Sequence, residues 1–278
     1  MLGPRVRQMA PTVAAVIAAA AFAAPLYWML ISALRPEKDI FAYLFPLSSQ
    51  GFLPATWTIA NFTDLLDTGF LSTTGNSLLV AAVTTVGGLA IAIPSAFALS
   101  VLRFRFRRVL FAIIVLSFSV PFDVVAVPLS GVFRDWNLDN TYTGLILPGL
   151  GNGFAIFLLR QFFLAVPLSL QEAARLDGAT WWRIMWGIYV PLSRPAIIGA
   201  ALIIFTNQWQ AYLWPLLVAP DPKMQLAPIA LANLSNLYEV HMGQIFAGSV
   251  ILAVIPGAIL FATQRFFVRS ISATGATG

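Results

Sequence analysis

TGFLSTTGNSLLVAAVTTVGGLAIAIPSAFALSVL, residues 68–102, is a long stretch of sequence without a single charged side chain. A helix needs about 20 predominantly apolar residues to cross the hydrocarbon core of a bilayer, so this stretch is long enough to span a membrane. Further uncharged runs of at least that length lie at Gln8–Leu34, Asn140–Leu159, Pro195–Pro220 and Val240–Gln264, and Val109–Phe133 is apolar except for Asp123.

The composition of the whole chain supports this interpretation. Hydrophobic residues make up 59% of the 278 residues, charged residues only 10%, and the mean hydropathy is +0.84. Soluble domains carry about 25% charged residues, which excludes a soluble globular or a disordered chain. Cysteine is absent and His241 is the single histidine, which argues against disulfides, zinc sites and histidine-based catalysis.

We therefore predict an all-α, polytopic membrane protein with six transmembrane helices in one domain covering residues 1–278. The expected spans are residues 10–34, 76–101, 109–132, 142–164, 194–218 and 245–267. The first apolar run is too long for the apolar region of a signal peptide, so we count it as a span.

The distribution of basic residues predicts the orientation of these spans, because cytoplasmic loops are enriched in Lys and Arg. One side would carry Arg5, Arg7, Arg103, Arg105, Arg107, Arg108, Arg160, Arg175, Arg183, Arg194, Arg265 and Arg269, and the other side Arg35, Lys38, Arg134 and Lys223. Both termini are thus expected in the cytoplasm. The net charge of +5 follows from this topology, so no nucleic-acid partner is expected. The Arg103–Arg108 run is expected to fix the topology and contact lipid headgroups.

The cytoplasmic loop at residues 165–193 contains a short helix signal. After Pro167, Ser169 and Glu172 have the spacing of a capping box, and Gly178 has the position of a helix C-terminal stop. This pattern predicts a helix of about two turns with an exposed alanine-rich side. By itself, such a helix could rest on lipid headgroups or dock on another protein.

The same loop resembles a known family. Glu172-Ala-Ala-x-x-x-Gly178, followed after nine residues by Ile188-Tyr-Val-Pro191, is similar to the EAA signature of ABC-importer permeases, with Val190 where the family has Leu. Other stretches resemble the sugar-importer permeases of the MalG type: Pro25-Leu-Tyr-Trp-Met-Leu, Leu34-Arg-Pro-Glu, Asn76-Ser-Leu, Asn140-Thr-Tyr-Thr-Gly-Leu-Ile-Leu-Pro148, Phe157-Leu-Leu-Arg-Gln-Phe-Phe163 and Ala174-Arg-Leu-Asp-Gly-Ala179.

The resemblance implies a permease subunit in the bacterial cytoplasmic membrane, paired with a second permease. It also implies two cytoplasmic ATPase subunits, which would bind ATP and Mg²⁺ and carry out hydrolysis, and an extracytoplasmic solute-binding protein. This chain would then be neither an enzyme nor a cofactor-binding protein. The loop helix would be the coupling helix, seated in a groove of an ATPase, and its coupling residues would be Glu172, Ala173, Ala174, Asp177, Gly178 and Ala179. For Glu172, helix capping alone remains an alternative.

Span five contains candidates for contact with a transported solute. Asn207, Gln210 and Trp214 follow i, i+3, i+7 spacing, which predicts one face of a helix. Amide groups donate and accept hydrogen bonds and an indole stacks on a sugar ring, a combination that suits a neutral, hydroxyl-rich solute. The alternative is that these amides only bond neighbouring helices together. Gln210 and Ala211 depart from the family's usual Asn and acidic residue.

Two further residues are candidates for the pathway. Asp123 lies between Pro121 and Pro128 in span three, where a charge costs about 3 kcal/mol unless it is paired or hydrated. We expect it to face the pathway or a subunit seam, the alternative being a protonated group in the core. Asn152 lies in a glycine- and proline-rich part of span four that predicts a broken or flexible helix.

The sequence thus favours the permease subunit of an ABC importer for a sugar or sugar-like solute. A permease for glycerophosphodiester-type solutes is the alternative within the class, although span five offers no cation for an acidic solute. An ion-coupled secondary transporter would usually have paired ionisable groups in the membrane. An intramembrane enzyme would need more acids and bases than this chain contains.

The predicted orientation can be tested by thiol labelling, because the chain has no cysteine of its own. A cysteine at Thr180 should be inaccessible to an impermeant maleimide in intact cells and become labelled once the membrane is opened. Labelling of Thr180→Cys from outside would contradict the orientation.

Overall fold

The computed structural model describes residues 4–44, 48–235 and 240–274, and these are helical, with no strand in the described part of the chain. The helices are α1 Pro4–Ala33, α2 Ala60–Asp67, α3 Phe70–Ser100, α4 Arg107–Ser119, α5 Phe122–Asp135, α6 Tyr142–Leu150, α7 Gly153–Leu164, α8 Leu168–Leu176, α9 Trp181–Leu192, α10 Arg194–Trp209, α11 Leu213–Val218, α12 Ala227–Ala232 and α13 Met242–Thr274. Within α9, Met185–Tyr189 form a π-helical turn.

Among the described residues, four segments are long and apolar enough to cross a membrane: Pro11–Ala33, Phe70–Ser100, Tyr142–Leu164 and Met242–Gln264. Two bent pairs, α4 with α5 and α9 with α10, bring the number to six if each pair is one span. The predicted all-α, multi-span fold class is confirmed.

Three of the predicted spans, 109–132, 142–164 and 194–218, are not continuous helices, the second being interrupted at Gly151–Asn152. In the predicted span 109–132, α4 and α5 are bent by 96°, because Pro121 holds the preceding Val120 in an extended conformation. In the predicted span 194–218, the helix ends at Trp209 and restarts at Leu213. The ring of Pro215 would clash with the carbonyl of Ala211, four residues earlier, which disfavours a continuous helix through this point.

Backbone contacts group the chain into two compact units, Met1–Leu71 with Ala230–Ile255 and Ser72–Ile229 with Pro256–Gly278. That residues 1–278 act as one permease domain stays a prediction. In the first unit, the Asn61 amide donates to the carbonyls of Ala33 and Arg35, at 2.9 and 2.8 Å, and so satisfies the C-terminal end of α1.

The larger unit contains two apolar clusters. The first joins α3, α7, α9 and α10, where Gly88 of α3 lies so close to Ile204 that an added Cβ would stand 3.2 Å from its side chain. Small residues permit this close approach of two helices. The second cluster joins α5, α6 and α11 around Phe133, Leu145 and Trp214. Large apolar side chains such as Val86 (70% exposed) form the outer surface, as expected for contact with lipid or another subunit.

Candidate functional site

Three interruptions of the helices meet at one cavity of about 690 Å³ in the larger unit. Its lining includes the non-helical residues between α4 and α5, between α6 and α7, and between α10 and α11, which are Val120, Pro121, Gly151, Asn152, Gln210, Ala211 and Tyr212. Non-helical backbone is tolerated at membrane depth only where it is buried in protein or lines a watery cavity. The convergence of three such segments therefore indicates a hydrated space.

All five residues that the sequence suggested for a pathway line this cavity: Asp123, Asn152, Asn207, Gln210 and Trp214. The prediction that three of them share one helical face is wrong, because α10 ends at Trp209. Asn207 is on its last turn, Gln210 caps its C-terminus, and Trp214 belongs to α11. The chain break, rather than helical periodicity, brings these side chains to one space.

The polar groups of the cavity differ in their exposure and in whether they already form hydrogen bonds within the protein. Asn207, Gln210 and Asp123 are exposed to the cavity or its mouth. Asn152 caps α7, since its Oδ1 accepts a hydrogen bond of 2.8 Å from the amide of Ala155, which leaves its Nδ2 group to donate elsewhere. Asp123 lies in the first turn of α5, where the helix dipole favours a negative charge. The lining residues include no Lys or Arg.

The side chain of Trp214 is almost completely buried in the protein. It is only 5% exposed, and its Nε1 donates a hydrogen bond of 3.0 Å to the carbonyl of Gly144. The rings of Phe133 and Phe122 meet it edge-to-face at 5.0 and 5.6 Å. Trp214 therefore joins α11 to α5 and α6, and stacking of its indole on a solute stays a prediction.

Several residues that line the cavity are not predicted by the sequence patterns. Gln208 and the half-exposed Tyr212 belong to the polar stretch of span five but fall off the assumed helical face, so the periodicity could not select them. Phe118 and Phe154 form an aromatic part of the wall, with their rings edge-to-face at 5.7 Å. Thr84 of α3 is fully buried beside the cavity.

The loop helix predicted from the sequence is present as α8, but its start differs. Pro167 is the N-cap, Ser169 lies inside the helix and no side chain caps the N-terminus, so the capping box of Ser169 and Glu172 is wrong. Pro167 has an extended ψ of 129°, so the helix begins at Leu168, one residue before Ser169. The carboxylate of Glu172 is exposed.

The end of α8 is as predicted. Gly178 has a φ of +76°, its amide donates to the carbonyl of Arg175 at 3.1 Å, and the amide of Ala179 donates to the carbonyl of Ala174 at 2.9 Å. This pair of bonds is the Schellman arrangement, which requires a left-handed residue and so favours glycine.

One side of α8 is attached to its neighbours and the other is open. Gln171 accepts a hydrogen bond of 2.9 Å from the hydroxyl of Tyr189 in α9. Arg175 donates to the carbonyl of Ala179 at 3.0 Å and lies 4.6 Å from the ring centre of Trp181. Glu172 and Ala173 are exposed, and Leu176 is 90% exposed. Among the residues that the structure describes, no group of His, Asp and Glu side chains could hold a metal ion.

An all-helical chain with interrupted spans around a polar cavity, and with an exposed helix between two spans, is a membrane transport subunit. Residues 88–273 match the family described as the binding-protein-dependent transport system inner membrane component, and the chain belongs to this family. It is a transmembrane permease subunit of an ABC importer, as the sequence resemblance predicted.

Two curated relatives cover nearly the full chain. The chain is 32% identical over 257 residues to the arabinooligosaccharides transport system permease protein AraQ of Halalkalibacterium halodurans, with 91% of each chain covered. It is 35% identical over 260 residues to the sn-glycerol-3-phosphate transport system permease protein UgpE of Agrobacterium fabrum, with 90% of each covered.

Solved structures share the fold. A chain of a bacterial ABC transporter involved in the import of the acidic polysaccharide alginate matches with a TM-score of 0.78 and 21% identity, covering 95% of this chain and 98% of that one. A chain of the MetNI methionine ABC transporter matches with a TM-score of 0.58 and 22% identity, covering 76% and 97%.

The role of Trp214 in the fold can be separated from stacking on a solute. Trp214→Phe keeps an aromatic face but leaves the Gly144 carbonyl without its donor, so the free energy of unfolding should fall by about 1–3 kcal/mol. The measurement is the melting temperature of the purified protein, with Trp57→Phe, at a 60% exposed position, as the matched control. An unchanged melting temperature for Trp214→Phe would contradict the role of this hydrogen bond.

Proposed function

We propose that this chain forms, with a second similar permease, the membrane pathway of an importer for a neutral, hydroxyl-rich solute of the carbohydrate class. The observation that carries the proposal is the cavity at which three helix interruptions meet, because its accessible polar groups are mainly amides and it is lined by no Lys or Arg. Amide groups exchange hydrogen bonds with hydroxyl groups in both directions.

The charge of the cavity favours a neutral solute over an acidic one. Asp123 is the only ionisable acid or base among the lining residues apart from the Tyr212 phenol, and its carboxylate would repel a phosphate or a carboxylate. The relative AraQ belongs to an arabinooligosaccharides transport system, which agrees with a neutral solute. The relative UgpE belongs to an sn-glycerol-3-phosphate transport system, and a solute of that kind would require cations from the second permease. We therefore propose a sugar as the transported solute and keep a glycerophosphodiester-type solute as the second candidate.

We propose further that α8 couples this pathway to ATP hydrolysis. Its open side, with Glu172, Ala173 and the exposed Leu176, would sit in a groove of one of two cytoplasmic ATPase subunits, which bind ATP and Mg²⁺. The remaining coupling residues, Ala174, Asp177, Gly178 and Ala179, would hold the helix end in shape. Hydrolysis would belong to those subunits.

A continuous series of contacts supports this coupling. Gln171 of α8 is bonded to Tyr189 of α9, and α9 continues into α10 through a bend of 84°. The far end of α10 carries Asn207 and is followed by Gln210, both in the cavity wall. A displacement of α8 by the ATPase would thus reach the cavity through two packed helices. The solute-binding protein would deliver the solute from the opposite, outer face, and both termini would lie in the cytoplasm.

The shape of the α8 end can be tested at Gly178. Gly178→Pro should abolish solute uptake and ATPase association while the protein still inserts in the membrane, because proline cannot adopt a φ of +76° or donate to Arg175. Gly178→Asn is the matched control, since asparagine tolerates the left-handed conformation, and it should retain most uptake. Normal uptake by Gly178→Pro would contradict the coupling role of this loop.

The pathway role of the amides can be tested by truncation. Asn207→Ala and Gln210→Ala should each weaken the apparent affinity of uptake about two- to tenfold, because each lost hydrogen bond is worth about 0.5–1.5 kcal/mol. The matched control is Gln161→Ala, an exposed amide outside the cavity. The measurement is uptake affinity together with the melting temperature of the complex. Lower melting temperatures with unchanged affinity would show that the amides only bond helices together.

A further inference from the structure

A cluster of arginines lies where the chain passes from α3 to α4. Arg103 and Arg105 belong to the connecting segment, and Arg107 and Arg108 are the first two residues of α4. Together with Phe104 they line a surface cavity of about 410 Å³. We call these four residues the arginine cluster. It lies away from the solute cavity, with which it shares no lining residue.

The arginine cluster carries positive charge that no carboxylate neutralises in the described part of the chain. Within residues 4–44, 48–235 and 240–274, none of the four arginines forms an ion pair with a carboxylate. The first turn of α4 contains no acidic residue, and no side chain caps it. A helix N-terminus carries a partial positive charge, so two arginines at this end are unfavourable unless an anion lies nearby. Free amide groups at such an end add donors for a phosphate.

Part of this charge is fixed in position. Arg107 donates from Nη1 to the carbonyl of Leu102 at 3.1 Å, at the C-terminal end of α3. Arg160 of α7 donates from Nε to the carbonyl of Leu99 at 3.1 Å and lies 3.8 Å from the ring centre of Phe111. Two guanidinium groups are thus held at the end of one helix. Arg103, Arg105 and Arg108 are exposed and can close on a ligand.

The aromatic residues between the arginines indicate where this ligand lies. Phe104 and Phe106 are 41% and 60% exposed, and they alternate with Arg103, Arg105 and Arg107. The segment connects a membrane-crossing helix to the next helix and so lies at the membrane surface. Aromatic rings settle at the level of the headgroups and upper acyl chains, while guanidinium groups reach phosphates. A soluble phosphate has no apolar part that could contact Phe104 and Phe106.

We propose that the arginine cluster binds the phosphate of an anionic phospholipid in the membrane leaflet that it faces. Phe104 and Phe106 contact the lipid chains, while Arg103, Arg105 and Arg108 contact the headgroup. The role of Arg107 and Arg160 is to fix positive charge beneath the phosphate. None of the residues lining this site lines the solute cavity.

The test uses the complex as purified from its host in detergent. It is titrated with phosphatidylglycerol or phosphatidylcholine of the same chains, and the retained lipid is counted by native mass spectrometry. The wild type should retain phosphatidylglycerol in preference to phosphatidylcholine. In R103Q/R105Q this preference should fall by about thirtyfold, because each arginine near the membrane surface contributes about 1 kcal/mol. R103K/R105K, which keeps the charges, should retain most of the preference for phosphatidylglycerol. This variant is measured in place of R103Q/R105Q if the glutamine variant fails to insert in the membrane.

The matched control is R134Q/K223Q, which removes two exposed charges outside the cluster. It should leave the preference for phosphatidylglycerol unchanged. Equal retention of both lipids by the wild type, or the same loss in the control and in R103Q/R105Q, would overturn the proposal. Displacement of the lipid by millimolar inorganic phosphate would overturn it in favour of a soluble phosphate. Loss of the ATPase subunits from R103Q/R105Q with unchanged lipid retention would instead identify a protein-docking surface.

Discussion

The structure depends on the requirement that backbone amide and carbonyl groups at membrane depth find hydrogen-bond partners inside the protein or in a hydrated cavity. A continuous helix meets this requirement by itself, but a break in a helix does not. Besides the bend between α9 and α10, the described part of the larger unit has three breaks, at Val120–Pro121, Gly151–Asn152 and Gln210–Tyr212. All three lie in the wall of one cavity, so the cost of each break is reduced by the same hydrated space.

Polar contacts hold the elements around this cavity. Trp214 joins α11 to α6 through the Gly144 carbonyl. Asn76 of α3 donates to the carbonyls of Lys223 and Gln225 at 2.9 and 3.1 Å, and the Tyr142 hydroxyl donates to Asn76 Oδ1 at 2.8 Å. These bonds secure the segment after α11. The amides of Asn207 and Gln210 remain at the cavity surface, which is the arrangement that a pathway for a hydroxylated solute requires.

The sequence predicted the features that follow from long apolar runs and from glycine or proline. The six apolar stretches correspond to helices or bent helix pairs, the Pro148–Gly153 region contains a break, and Gly178 ends α8. Periodicity failed at span five, because it assumes a continuous helix and cannot show that Pro215 ends one helix before Ala211. The residues selected by periodicity do line the cavity, but the chain break and not a shared helical face brings them there. Gln208 and Tyr212, which also line the cavity, were not selected.

The start of α8 shows a second limit of sequence patterns. Ser169 and Glu172 have the spacing of a capping box, but the helix begins at Leu168, so Ser169 lies inside the first turn and cannot act as the N-cap. The burial of Trp214 was also beyond prediction, since its partners Gly144, Phe122 and Phe133 lie 70, 92 and 81 positions earlier in the sequence. Such contacts depend on the tertiary arrangement, which local patterns do not contain.

The most direct test of the central claim is the reactivity of cysteines placed at the three breaks. Single cysteines at Val120, Gly151 and Ala211 would be treated, in the assembled transporter, with a small charged thiol reagent that reacts only in water. We expect all three cysteines to react, and saturating solute to slow the reaction. A cysteine at Val86, on the apolar outer surface of α3, should stay unreactive. Break cysteines no more reactive than Val86→Cys would contradict a hydrated cavity at the helix interruptions.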